Sequence, residues 1–293
     1  MRRIVVNADD FGLTRGVNRA IAELHASGAL SSATLMANAA ATEEAIEQAL
    51  KTPSLGVGCH IVLVDGQPVL PLDEIPTLID RRTRQFHAKP GVFLRHALTG
   101  RIRADEVEAE AGAQIALLHE RGLRLTHVDT HKHLHMFPAV LRPVLRAARG
   151  AGIRAVRIPF EPAWSRRATP RAPLARRIEL SLLSSLEPAF RRIVAAEGFT
   201  TTDGSLGVLA TGTLDAATIR ALLAKVPPGT WELVTHPGYN DADLAQVRTR
   251  LRDSRETERQ ALKLVGIPDG LELISFAQLA IAQPGVTEDS FAK

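Results

Sequence analysis

Cysteine is almost missing from this chain, with Cys59 the single example in 293 residues. No intramolecular disulfide can form, so the fold rests on burial alone, as suits a reducing compartment. Aromatic side chains are also scarce, at 4 %, and no long polybasic run accompanies them. A nucleic-acid surface would want a basic stripe with stacking rings, so nucleic acid is not expected as a partner. No run of about 20 apolar residues occurs, which argues against a transmembrane helix. The leading apolar stretch, Ile4-Val5-Val6, is too short for a signal peptide, and a cytoplasmic protein is expected.

What is plentiful is material for a core. Apolar residues make up 45 % of the chain, and 36 Lys and Arg stand against 32 Asp and Glu, a modest net +4. That composition and length suit one large α/β domain over 1–293. The one cationic cluster, Arg166, Arg167, Arg171, Arg176 and Arg177, reads either as a solvated surface or as an attraction to an anionic one.

Strand-like and helix-like stretches alternate. Residues 3–7, 33–36, 56–64, the segment carrying His127 and Asp129, 155–158, 231–235 and 271–274 read as strands. Residues 16–28, 42–51, 104–121, 138 to about 150, 215–225 and 241–264 carry helical spacing. Residues 174–196 read as a helical pair broken by Pro188. About seven parallel strands favour a barrel-like sheet, with the loops after each strand on one side. A Pro-rich excursion, 65–90, follows the third strand and is too long for an ordinary connection, which marks it as functional.

Polar residues gather where those strands end. Asp9 and Asp10 close the first, His60 lies on the third, and His236 follows the strand 231–235. His127, Asp129, His131, His133 and His135 alternate at period two, so an extended backbone would put them on one face until the chain turns before Pro138. Singly, each has an ordinary explanation: adjacent aspartates cap helices or make turns, and a lone histidine is commonly a satisfied core group. Cys59, pointing away from His60, is expected in the core. Three separated polar strand ends together point to a divalent metal that activates water, hence a metal-dependent hydrolase.

The motifs Asn7-Ala8-Asp9-Asp10-Phe11-Gly12 with Gly16 and Asn18, Gly56-Val57-Gly58-Cys59-His60, Thr126 to Pro138, and His236-Pro237-Gly238 resemble the YdjC-like, or ChbG-like, carbohydrate deacetylases. The resemblance runs in order over nearly the whole chain. It implies a distorted (β/α) barrel related to the TIM barrel, one divalent ion (Mg2+ or Zn2+), and removal of N-acetyl groups from amino sugars. It further implies Asp10, His60 and His131 as ligands, Asp9 as general base and His236 as acid. His127, Asp129, His133 and His135 would fix imidazole tautomers and orientation. Val64 to Pro71 and Arg154-Ala155-Val156-Arg157 look most like the hopanoid-associated branch called HpnK, whereas Asp129 to His133 sits closer to the oligosaccharide deacetylases.

The substrate would therefore be an N-acetylated amino sugar, free or as a glycolipid. Trp164 could stack on a sugar ring or sit in the core, and Arg157 could bind hydroxyls or form a structural salt bridge. Residues 174–194 read as core packing, a homo-oligomer contact, or a lid making transient membrane-surface contact. A metal phosphoesterase and a non-catalytic metal- or sugar-binding module are the competing classes.

Overall fold

The computed structural model describes residues 1–169 and 172–281. In chain order its elements are β1 (Arg2–Phe11), α1 (Arg15–Ala26), β2 (Ser32–Leu35), α2 (Thr42–Leu50), β3 (Gly56–Ile61), β4 (Ile79–Asp80), β5 (Gln85–Phe86), α3 (Pro90–Leu98) and α4 (Ala104–Glu120). They continue with β6 (Val128–Thr130), a 3-10 stretch at His131–Met136, α5 (Pro138–Gly150), α6 (Ala163–Ala168), α7 (Leu174–Leu183), α8 (Glu187–Ala196) and β7 (Gly204–Leu206). The last are α9 (Ala216–Ala224), β8 (Gly229–Thr235), α10 (Ala242–Ala245), α11 (Arg252–Val265), β9 (Glu272–Leu273) and α12 (Phe276–Ile281).

The main sheet runs β6–β3–β2–β1–β8–β7, with β9 beside the first half of β1, and every pair in it is parallel. Its two edges are joined through 155–160. Val128 N donates to Ala155 O at 3.0 Å, Val156 N to Thr200 O at 3.0 Å, and Ser205 N to Phe160 O at 3.1 Å. The curled sheet is thus the expected distorted barrel. Residues 155–158, read as a strand, make only isolated bridges. Pro159 and Pro162 remove donors there, which keeps a ladder from propagating. Three-residue β7 is too short to leave a pattern, and the span read as one helix over 241–264 is divided into α10 and α11.

Alternation along the strands sorts side chains between two environments. Ile4, Val6, Ala8, Val57 and Cys59 join the core shared with the helices. The opposite face points into the barrel, where Val5, Ala155, Ile274, Phe276 and Leu279 form an apolar plug near the strand beginnings. Above that plug the interior turns polar. His127 stacks flat on Phe276, with ring centres 3.8 Å apart, and lies directly over Gly58.

The excursion after β3 contains the β4–β5 hairpin and leads into α3. A buried polar row on α4, one residue per turn, staples it down. Glu106 accepts Thr77 N at 2.8 Å, Glu110 accepts Val69 N and Leu70 N at 2.9 and 3.0 Å, and Gln114 bonds both N and O of Val62 at 2.8 and 2.7 Å. Loop backbone that would otherwise be desolvated without partners is paired this way.

Residues 174–196 do not present one apolar face. The break falls at Ser184–Leu186, and Pro188 sits in the first turn of α8, where no amide donor is needed. Phe190 and Val194 are buried, whereas Leu174, Ile178 and Leu182 on α7 are 72, 53 and 70 % exposed. Of the arginine cluster, Arg171 lies outside the described residues. Arg166 and Arg177 donate to backbone carbonyls of their own segment.

A Cβ on Gly58 would stand 2.5 Å from His127 Cε1, a clash the stacked ring cannot relieve without losing Phe276. Gly58→Ala is therefore expected to lower unfolding stability by about 1–3 kcal/mol, measurable by urea denaturation. Gly100→Ala is the control for a glycine with no crowding around it.

Candidate metal centre

Parallel pairing brings the polar strand ends to one side of the barrel. Ala8 lies opposite Thr235, so Asp9 and His236 follow as neighbours, and His60 lies opposite Asp129. Above them opens a cavity of about 720 Å³, with Asp9, Asp10, His60, His131 and His236 among its lining residues.

Adjacent residues on a strand normally point apart. Here β1 shifts register against β2 between Ala8 and Phe11, and Asp10 takes a left-handed φ of 65°. This bulge turns Asp10 to the same cavity as Asp9, and aspartate tolerates that backbone better than most residues. Asn18 on α1 holds the turn, accepting Gly12 N at 2.8 Å and donating to Ala41 O at 3.0 Å.

Asp10 Oδ1, His60 Nε2 and His131 Nδ1 form a triangle with sides of 3.2, 3.3 and 3.4 Å. Ligands bonded to one ion at about 2.0–2.2 Å stand roughly 3 Å apart, so this spacing fits a single cation. Two further observations agree. Asp10 Oδ1 is buried with no hydrogen-bond partner. His60 donates Nδ1–H to Asp129 Oδ1 at 2.7 Å, which turns the Nε2 lone pair toward the other two donors. Burial alone would lower the His60 pKa, but Asp129, Asp10 and Asp9 lift it to about 10. The pocket calls for positive charge. Burial would raise Asp10, yet Arg255, with His131 and His60, holds it well below the usual carboxylate range.

A second acidic group, Asp9, His60 and Asp129, also lies within ligand reach, but a cation already fills it. Arg157, fully buried, donates to Asp9 at 2.6 and 2.8 Å, to Glu232 at 2.7 Å and to Asp129. Three carboxylates thus face one guanidinium. Against the effect of burial, Arg157 lowers Asp9 and Asp129 below their ordinary values. Burial, with Asp9 and Asp129 beside it, pushes Glu232 up to about 7. Of the two roles open to Arg157, the structure realises the salt bridge. With no exposed surface, it cannot reach substrate hydroxyls.

Trp164 is not among the cavity-lining residues. It packs edge-to-face on Trp231 with ring centres 5.2 Å apart and joins the core, so the core reading holds and the sugar platform does not.

The histidine tract divides. β6 ends at Thr130, and Lys132 and His133 take left-handed φ values of 59 and 54°. Alternation puts His127, Asp129 and His131 on the interior face, and the left-handed turn that follows His131 brings His133 to the cavity as well. His133 keeps Nδ1 unpartnered, and burial drops its pKa to about 3. His135 lies away from the cavity, between Thr130 Oγ1 at 2.8 Å and Arg157 O at 3.1 Å, where it fixes the Arg157 backbone. His127 touches Thr126 and Phe276 rather than a ligand histidine. Of the four residues expected to orient imidazoles, Asp129 is the one bonded to a candidate ligand. His236 Nε2 is 3.7 Å from Asp9 Oδ2, and burial lowers its pKa to about 4.

Two buried residues on α11 escaped the sequence reading. Arg255 bonds Asp10 Oδ2, and Glu258 accepts His236 N at 2.6 Å. They sit in a charged run, Arg252 to Arg259, that reads as a solvated helix face. The available signal is their i, i+3 spacing in line with buried Ala261 and Leu262.

A curled parallel sheet carrying one carboxylate and two imidazoles over a deep cavity defines an α/β barrel with a candidate cation site. The chain belongs to the family described as YdjC-like protein, whose model matches residues 3–267. It is similar to a carbohydrate deacetylase of Thermoanaerobacter pseudethanolicus, with 27 % identity over 89 % of this chain and 91 % of that one. A Homo sapiens carbohydrate deacetylase is 29 % identical over 97 and 93 %. A Salmonella paratyphi B chitooligosaccharide deacetylase is 37 % identical over 52 and 58 %. The chain spans about half the length of several curated relatives it matches, as with 55 % of a Brevibacillus brevis carbohydrate deacetylase. A solved Enterococcus faecalis V583 structure superposes over 95 % of this chain and 98 % of its own, with TM-score 0.75 and 23 % identity, which bears on the fold alone.

Arg157→Met would leave three carboxylates buried without their cation, a loss of about 3–5 kcal/mol. The folded pKa values of Asp9 and Asp129 lie below the unfolded value of 3.8. Their stabilisation is therefore whole above about pH 4 and is lost as pH falls further. Urea midpoints measured from pH 3 to 7 should fall steeply at the acid end for the wild type and less steeply for Arg157→Met.

Proposed function

We propose that this protein is a metal-dependent N-deacetylase acting on an acetylated amino sugar, releasing acetate and a free amine. The observation that carries the reading is Asp9 and His236 standing beside the ligand triangle, since holding an ion requires neither. Asp10, His60 and His131 would hold the ion. A donor set of one oxygen and two nitrogens suits zinc, whereas magnesium prefers oxygen. When bound, such an ion polarises an amide carbonyl and acidifies a water.

The chain's own groups do the rest. Asp9, ionised at neutral pH because Arg157 faces it, accepts the proton of the attacking water. As the carbon–nitrogen bond breaks, His236 passes to the departing nitrogen the proton that Asp9 took from the water, Asp9 lying 3.7 Å from its Nε2. The deacetylase names of the relatives support the same chemistry. Arg157 in the second acidic cluster weighs against a two-metal phosphoesterase, which would need that place for an ion.

A lipid-linked sugar is a second reading, favoured by the exposed row Leu174, Ile178 and Leu182. That row lies on the helix whose Arg176 and Glu179 line the cavity. Flotation with anionic liposomes would support it if wild type floats and Leu174→Asp/Leu182→Asp does not. Wild type left at the bottom of the gradient would remove it.

Acetate release from chitooligosaccharides tests the main reading. His131→Ala should lose stoichiometric metal and activity together. Asp9→Asn should retain metal while turnover falls by about 10²–10⁴. Metal retained in His131→Ala would sink the ligand assignment, and phosphate release without acetate release would sink the reaction.

A further inference from the structure

Glu258 is buried, yet neither the ion site nor the attack on the amide uses it. Its Oε2 accepts the backbone N–H of His236 at 2.6 Å, with a second backbone bond from Gly212. The same oxygen lies 3.9 Å from His236 Nδ1. Nδ1 of His236 and Oε1 of Glu258 are both buried with no hydrogen-bond partner. Two complementary polar groups on neighbouring side chains are thus each left with a buried, unpaired atom, where an unmade bond costs most. On the opposite edge of the ring, Nε2 is turned to Asp9 Oδ2 at 3.7 Å.

We infer that Glu258 is a positioning residue that accepts Nδ1–H from His236, so that Nε2 is the edge offered to the cleaved bond. A small ring rotation closes the 3.9 Å gap. The inference rests on His236 acting as the proton donor. The proton Asp9 took from water passes to the bare Nε2 of His236, and the doubly protonated ring then gives it from Nε2 to the departing nitrogen. Nδ1–H stays on Glu258 throughout, so nothing else is consumed. Without a fixed Nδ1–H, a neutral imidazole divides between tautomers, and the wrong one, Nε2–H, has no lone pair on that edge to receive the proton from Asp9.

The charged groups around His236 agree with this division of labour. Asp9 and Asp10 face it from β1, Arg157 from the segment after β6, and Arg255 and Glu258 from α11. Both arginines are bonded to aspartates, which leaves Glu258 as the carboxylate nearest Nδ1. Burial pushes the Glu258 pKa up to about 7, and a hydrogen bond from Nδ1–H would bring it down.

Two measurements decide the matter. Nitrogen-15 NMR of the imidazole ring, assigned with His236→Ala, should show Nδ1–H in the wild-type holoenzyme and a mixture in Glu258→Gln. Glu258→Gln keeps an acceptor for the two backbone amides but removes the charge. Its turnover in acetate release from chitooligosaccharide should fall about 10- to 100-fold, with KM and bound metal unchanged. His236→Ala/Glu258→Gln should be no slower than His236→Ala alone, because the effect passes through one ring. An Nε2–H tautomer in wild type, or losses that multiply in the double variant, would overturn the inference. If wild type releases no acetate, the functional reading fails instead, and the NMR result alone still decides the Glu258 contact.

Discussion

A single guanidinium, that of Arg157, makes it possible for this barrel to carry acids inside. Barrels of this kind usually fill their interiors with layers of branched apolar side chains. Here apolar filling stops at the plug around Phe276, and the next layer holds Asp9, Asp129 and Glu232. Burying three carboxylates without a counter-charge would be prohibitive. Arg157 meets all of them at once and is itself held in place by the His135 bond to its carbonyl. Its single charge does not balance three. The residual negative potential appears in the pKa of His60, which the surrounding aspartates raise against the effect of burial. The same imbalance makes the cavity floor attractive to a cation at Asp10, His60 and His131.

The division between Asp9 and Asp10 follows from that arrangement. Neighbours in sequence that a bulge turns to one cavity, they sit in different electrostatic surroundings because each meets its own arginine. Asp9 is locked to Arg157 by two bonds and braced by Asn7 and Thr34 at 3.1 and 3.3 Å. Asp10 gives one oxygen to Arg255 and keeps the other open beside two imidazoles. Two carboxylates in unlike environments are able to divide charge-holding from proton transfer. The left-handed backbone at Asp10 is local strain placed where it redirects a functional group.

How much of this was legible in the sequence depends on whether a residue's role comes from its own strand or from elsewhere. Asp9, His60 and His236 could be placed because each stands at or beside the end of an apolar strand, and a parallel sheet brings such ends together. His131 could be named from period-two alternation with His127 and Asp129, but that alternation ends at the left-handed Lys132 and His133 and so does not place the rest of the tract. Arg157 was ambiguous because its partners come from β1, β6 and β8. Arg255 and Glu258 were hidden by composition, as a stretch of eight mostly charged residues reads as solvent-facing. The buried row Glu106, Glu110 and Gln114 was hidden in the same way. In both helices a four- or three-residue spacing of polar groups marks the inward face, but apolar periodicity does not reveal it.

The floor and the rim of the cavity are held by different kinds of interaction, and that difference bears on which of them can change. At the floor, bonds to Arg157 are buried and interdependent, so altering any one carboxylate alters the rest. At the rim, Asp65 bonds Lys132 and Arg248 at 2.5 Å each, tying the loop after β3 to the turn after β6 and to the segment before α11. These pairs are partly exposed, weakened by salt and individually small. The loop after β3 is held by the α4 staples, which act on backbone amides and so tolerate changes in the side chains above them. Changes among Gln67, Arg248, Thr249 and Arg250 can therefore reshape what enters the cavity without disturbing Asp9, Asp10 or the histidines. The cavity floor is set by the barrel interior, and what the cavity admits is set by loops the interior does not depend on.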